Sequence, residues 1–188
     1  LCKHLRRQKK NSKNSVKLLV TTAMMSALAT VLMLVVRFSL LPGAKFLEYD
    51  MGDIPVILST LFLGLPYGSF VLVFVSLIQS LTVSAASSWQ GFIMHVISTG
   101  CYIVILKLFM RKKDDMKHLL AGVLTATAGL TLIMIPLNLI FTPLYLHTTV
   151  EAVAELLIPA IIPFNFIKGV INSILTFIIY SKCLATAS

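Results

Sequence analysis

The chain has 188 residues, 57% of them hydrophobic and only 12% charged. A water-soluble domain carries about twice that charged share, so composition points to an integral membrane protein built as one helical domain. The net charge of +9 is uneven: Lys3, Arg6, Arg7, Lys9, Lys10, Lys13 and Lys17 crowd the start, where an adjoining apolar run favours topology or lipid-headgroup contact over nucleic acid.

Residues 1–16 form a basic arm, expected to be poorly ordered away from the membrane. The apolar run Val16 to Val36 is too long for a signal-peptide core, and no A-x-A-like site follows, so it is expected to be retained. The first span is set at about Lys17 to Val36. Thr22, Ser26 and Thr30 share one of its faces, with Ala23 and Ala27 beside them. Small residues four apart let helices approach closely in lipid. That face serves either internal packing or docking onto a separate subunit.

Arg37 to Gly52 reads as a loop broken by Pro42 and Gly43, mixing Phe46, Leu47 and Tyr49 with Lys45, Glu48 and Asp50. A connection this long is unusual between adjacent helices, and a partly apolar loop at a membrane mouth suits folding over a ligand. The second span starts near Asp53, a plausible N-cap, with Pro55 in its first turn. It is short, ending near Leu63. The third covers about Gly68 to Ser84, with Gln79 and Ser80 late in it, and the loop Ala85 to Gln90 carries the lone tryptophan, Trp89. The fourth span is about Gly91 to Met110. After the charged loop Arg111 to His118, with Asp114 and Asp115 read as solvated, the fifth runs to Phe141 with Pro136 and Asn138 inside it. A mixed loop, Thr142 to Leu157, holds Tyr145, His147, Glu151 and Glu155.

The sixth span, Ile158 to Tyr180, is the most informative. It is apolar enough to cross a bilayer yet contains Asn165, Lys168 and Asn172, with Gly169 alongside. Residues three and four apart share a helix face, and an ionisable group within a span must face protein or water. The stripe is therefore inward, as interhelical glue or as a solute site. The tail 183–188 follows.

The expected fold is all-α, an integral membrane bundle of six transmembrane helices, with residues 17–182 as the membrane domain. The arm, the loop at 111–118 and Lys182 then lie on one side, which the positive-inside rule makes cytoplasmic along with both termini. Asn138, Asn165 and Lys168 consequently fall at similar depth in the outer half, near Asp53.

Nothing here marks an enzyme or a motor. There is no phosphate-binding G-x-x-x-x-G-K-[ST] motif, no G-x-G-x-x-G and no G-x-S-x-G. Cys2, Cys101 and Cys183 are far apart and expected to be free thiols, and the histidines are isolated, without metal-ligand spacing. No carboxylate pair lies within a span. A membrane enzyme using Asp53, His95 or Lys168 would need reactive groups that converge, and the spacing shows none.

The runs TTAMMSALATVL, FLEYDMGDIPVILSTLFLGLPYGSF and IPFNFIKGVINSILTFIIY resemble the riboflavin-specific S components of energy-coupling-factor vitamin transporters. The resemblance spans essentially the whole chain; FLEYDMGDIP and PFNFIKG are its specific part. It implies an outward pocket capped by the first loop, in the cell membrane of a bacterium, and uptake without chemistry or cofactor. It also implies partners, a transmembrane coupling subunit and two cytoplasmic ATPases. Ala23 and Ala27 match the family's alanine pattern, whereas Thr22, Ser26 and Thr30 depart from it. For riboflavin, Asn138 and Asn165 offer donors and acceptors for the uracil-like edge. Lys168 supplies donors, or pairs with Asp53 or Glu48. Phe46, Leu47, Tyr49, Tyr145 and Phe164 are candidates to cover the ring, with Asn172 a turn deeper. Another water-soluble vitamin, for instance an anionic one on Lys168, and a purely structural subunit are the competing readings.

Overall fold

The computed structural model describes residues 2–41, 44, 46–83, 88–111 and 115–187, with side chains for 15–41, 44, 46–83, 89–111 and 115–183. Pro42, Gly43, Lys45, residues 84–87 and residues 112–114 lie outside these.

The chain runs α1 (Cys2–Val35), β1 (Arg37–Ser39), β2 (Glu48–Asp50), α2 (Asp53–Phe62), α3 (Leu65–Leu81), α4 (Ser88–Met110), α5 (Met116–Leu146), α6 (Val150–Leu156), a π-helical turn (Leu157–Ile161) and α7 (Ile162–Ala187). Among the described residues, four helical stretches are long and apolar enough to cross a membrane: Ser15–Val35, Trp89–Met110, Met116–Leu146 and Val150–Cys183. The helices α2 and α3 are apolar but shorter.

The core lies where α2 passes between α1, α3, α4 and α7. Every residue of α2 from Asp53 to Leu61 is buried. A helix this apolar on all sides is one surrounded by others. Ile57, Val71, Tyr102, Leu106 and Val123 meet around it. At the α2–α3 crossing a Cβ on Gly68 would overlap the Thr60 side chain, so only glycine permits that approach. A second cluster, Leu47, Tyr49, Val153, Ile161 and Phe164, sits under the β ribbon at one end of the bundle.

Several expectations are corrected. The fold is not purely helical: β1 and β2 pair antiparallel, with Arg37 opposite Asp50 and Ser39 opposite Glu48. The basic arm is continuous with α1 from Cys2, as its good helix formers allow. Gly52, not Asp53, caps α2, and no side chain serves as cap there, because the Asp53 carboxylate is engaged elsewhere. Asp115 is not merely solvated but caps α5, accepting the His118 backbone N–H at 2.8 Å. Trp89 belongs to the first turn of α4, where it meets Phe141 edge-on. Helix α5 continues through Pro136 and Pro143 to Leu146, and the last helical stretch starts at Val150, capped by Thr149.

On α1 the small-residue stripe divides. Thr22 and Ser26 are buried against the bundle, and their hydroxyls bond back to carbonyls one turn earlier. Ala23 and Ala27 are exposed, and Thr30 is half-buried. All five border an apolar groove between α1 and α3 with Pro66, Phe70 and Phe74.

Candidate functional site

Asp53 organises the polar interior. It is the first residue of α2, where the helix dipole favours an anion, and it is only 1% exposed. Its Oδ1 accepts His95 Nε2 at 2.8 Å and the Thr99 hydroxyl at 3.0 Å, both from α4. Its Oδ2 accepts Asn172 Nδ2 at 3.2 Å and lies 3.0 Å from Lys168 Nζ, both from α7. A buried carboxylate is tolerable only when paired and hydrogen-bonded, and Asp53 is both. Asn172 in turn accepts the Tyr49 hydroxyl at 3.0 Å, tying β2 to α7.

Beside this cluster a cavity of about 380 Å³ opens at the ribbon end of the bundle. The stripe on α7 reaches it through Phe164, Asn165 and Lys168. From α5 come Leu130, Met134, Asn138 and Tyr145, and from the ribbon region Phe46, Leu47 and Glu48. The amide nitrogens of Asn138 and Asn165 donate to the Met134 and Ile161 carbonyls, each at 2.8 Å, which sets the rotamer of both side chains. Thr142 donates to the other end of the Asn138 amide at 2.9 Å.

Not every candidate lines the cavity. Asp53, Asn172 and Tyr49 stand behind its wall, buried in the cluster just described. Tyr49 is 1% exposed, so it underlies the site rather than covering it. Of the two acids offered for Lys168, Asp53 takes it, and Glu48 pairs with Arg37 across the ribbon. The sequence reading missed Arg37, Asp50, Gln79, Met94, His95 and Ser98, all of which border the cavity. Asp50 is fixed by the Gly52 backbone N–H at 2.9 Å and by Gln79 Nε2 at 3.3 Å. His95 is not an isolated packing residue: it joins Ser76 of α3 to Asp53. Among the described residues no cluster of three His, Cys, Asp or Glu side chains is suited to a metal.

A helical membrane protein with a small walled cavity, apolar except for a few fixed polar groups, has the form of a solute-binding protein. The family model for the substrate-specific component of ECF transporters matches residues 17–180, and the chain belongs to that family. It is similar to the riboflavin transporter RibU of Lactococcus lactis subsp. cremoris, 34% identical over 130 residues, which is 68% of this chain and 63% of that one. It is 30% identical to the riboflavin transporter FmnP of Bacillus subtilis over 175 residues, covering 89% and 92%. A solved S component of a bacterial ECF transporter superposes with a TM-score of 0.77 at 29% identity, over 92% of this chain and 97% of that one. These relatives are transporter components, not enzymes.

Proposed function

We propose that this chain is the membrane subunit that captures riboflavin for an energy-coupling-factor transporter, with flavin as cargo rather than cofactor. The observation that carries the reading is the cavity. Its volume suits one small molecule, and Asn138, Asn165 and Lys168 border it together with apolar Met94 and Leu130. Its charges bear on the competing vitamins. Arg37 and Lys168 line it, but so do Glu48 and Asp50, and each cation already has a carboxylate partner. A balanced lining of this kind suits a neutral ligand better than an anionic one. The names of the relatives support riboflavin.

The test is the visible absorption and a riboflavin titration of purified protein. Met134→Trp should fill part of the cavity and reduce affinity at least a hundredfold without unfolding the bundle. A folded Met134→Trp variant with wild-type affinity would place the ligand elsewhere.

The same reading gives six crossings of a bacterial cell membrane with both termini in the cytoplasm. It makes residues 1–16 a cytoplasmic basic arm, with a coupling subunit and two ATPases as partners. With 10 residues, α2 rises only about 15 Å, half the hydrocarbon thickness. The buried end of β2, Tyr49 and Asp50, leads into α2 through Met51 and Gly52. For topology, a cysteine replacing Thr148 should react with an impermeant thiol reagent on intact cells, and one replacing Arg111 should not. The reverse pattern overturns this orientation.

A further inference from the structure

We propose that Asp53 is a positioning residue that never touches the ligand: it aims Lys168 at the cavity and, through Asn172, fixes Tyr49 and strand β2, so the cavity's lysine and its ribbon share one anchor. The affinity part of this proposal rests on the flavin reading; the ribbon part does not.

The argument is one of acceptor capacity. An ionised carboxylate is acceptor-only, with about four lone-pair sites. All four are matched: His95 and Thr99 on Oδ1, Asn172 and Lys168 on Oδ2. Nothing is left for a ligand, and Asp53 does not border the cavity. Lys168 does border it, and an ammonium has three donors. One is directed to Asp53, which leaves the others for the cavity side.

The second branch follows from polarity. Because Asp53 can only accept, Asn172 must turn its NH₂ toward it. The Asn172 carbonyl then points the other way, where it accepts the Tyr49 hydroxyl. The acid thus sets the amide's orientation, and the amide holds the tyrosine. Tyr49 lies between Glu48 and Asp50 in β2 and shares a buried cluster with Leu47, two residues earlier, which borders the cavity. Partners separated by 119 and 123 positions in the chain are joined in one line.

The experiment uses the full chain in detergent, with native cysteines replaced and Leu47→Cys as reporter. Leu47 is 7% exposed, so its thiol should label slowly. Without flavin, Asp53→Asn, Asn172→Ala and Tyr49→Phe should each speed labelling about three- to tenfold, the effect of one lost hydrogen bond on local opening. Asp53→Asn combined with Tyr49→Phe should be no faster than the faster single variant. Wild-type labelling in Asp53→Asn, or multiplying effects in the pair, overturns the ribbon branch. Should Asp53→Asn alone fail to fold, the neutral pair Asp53→Asn/Lys168→Met carries the same measurement. In riboflavin titrations Asp53→Asn should weaken binding about tenfold, but should have no further effect in a Lys168→Met background. An equal loss in both backgrounds means that Asp53 does not act through Lys168, and overturns that branch. If the wild type binds no riboflavin, the flavin reading falls, while the labelling result still decides the anchor.

Discussion

Lys168→Ala is expected to weaken riboflavin binding ten- to a hundredfold and to destabilise the protein as well. Losing a hydrogen bond to a buried polar group of the ligand costs about 1–3 kcal/mol, and each 1.4 kcal/mol is about tenfold in affinity. The second effect comes from Asp53, whose cationic partner disappears while it remains 1% exposed. Breaking a buried pair by removing one member typically costs about 3–5 kcal/mol. The two effects separate in the neutral double variant Asp53→Asn/Lys168→Met. It should recover much of the thermal stability, since no unpaired charge remains, and none of the affinity. Ligand titration and thermal unfolding on the same samples check both. Wild-type affinity in folded Lys168→Ala would show that the lysine does not face the substrate.

Ala27→Trp should abolish uptake by the assembled transporter, by tenfold or more, while leaving riboflavin affinity of the isolated chain unchanged. Ala27 is exposed on the outer side of α1 and borders the groove against α3. A bulky ring there blocks close approach of another helix, and Ala27 is not among the residues bordering the cavity. Ser26→Trp, one position away, should behave in the opposite sense. Ser26 is 3% exposed and faces the bundle, so overpacking should cost about 1–3 kcal/mol of stability. Normal uptake by Ala27→Trp would assign the groove to lipid.

The part of the site most legible in the sequence is the stripe on α7. Asn165, Lys168 and Asn172 follow helical spacing inside an apolar run, and helical spacing needs only local sequence. The same rule picks out Gln79, three residues after Ser76, and His95, three and four residues before Ser98 and Thr99. Thr149 was likewise a readable cap signal for α6. Other features had no local signal. The partner of Asp53 in sequence is its own helix start, which suggested a cap, whereas its partners in space come from α4 and α7. The β ribbon is three residues per strand, too short for alternation to stand out, and it is fixed by Tyr49 reaching α7. Helix α5 runs through two prolines because freed backbone groups in a membrane helix are satisfied by local adjustment.

The π-helical turn at Leu157–Ile161 sets the phase of everything after it. Pro159 lies within it and Pro163 follows four residues on, so two successive N–H donors are missing from the same side of the helix. A π turn is in effect one inserted residue, and one residue of an α-helix is about 100° of rotation. Asn165, Lys168 and Asn172 share a face by their own spacing within α7, and the inserted residue sets how that face is turned relative to α6. Deleting Pro159 should therefore do what no point substitution on α7 can. It keeps all three polar side chains but changes by about 100° the angle at which α6 meets their face. The length of this turn thus governs how α6 and α7 are joined, independently of the residues on either helix.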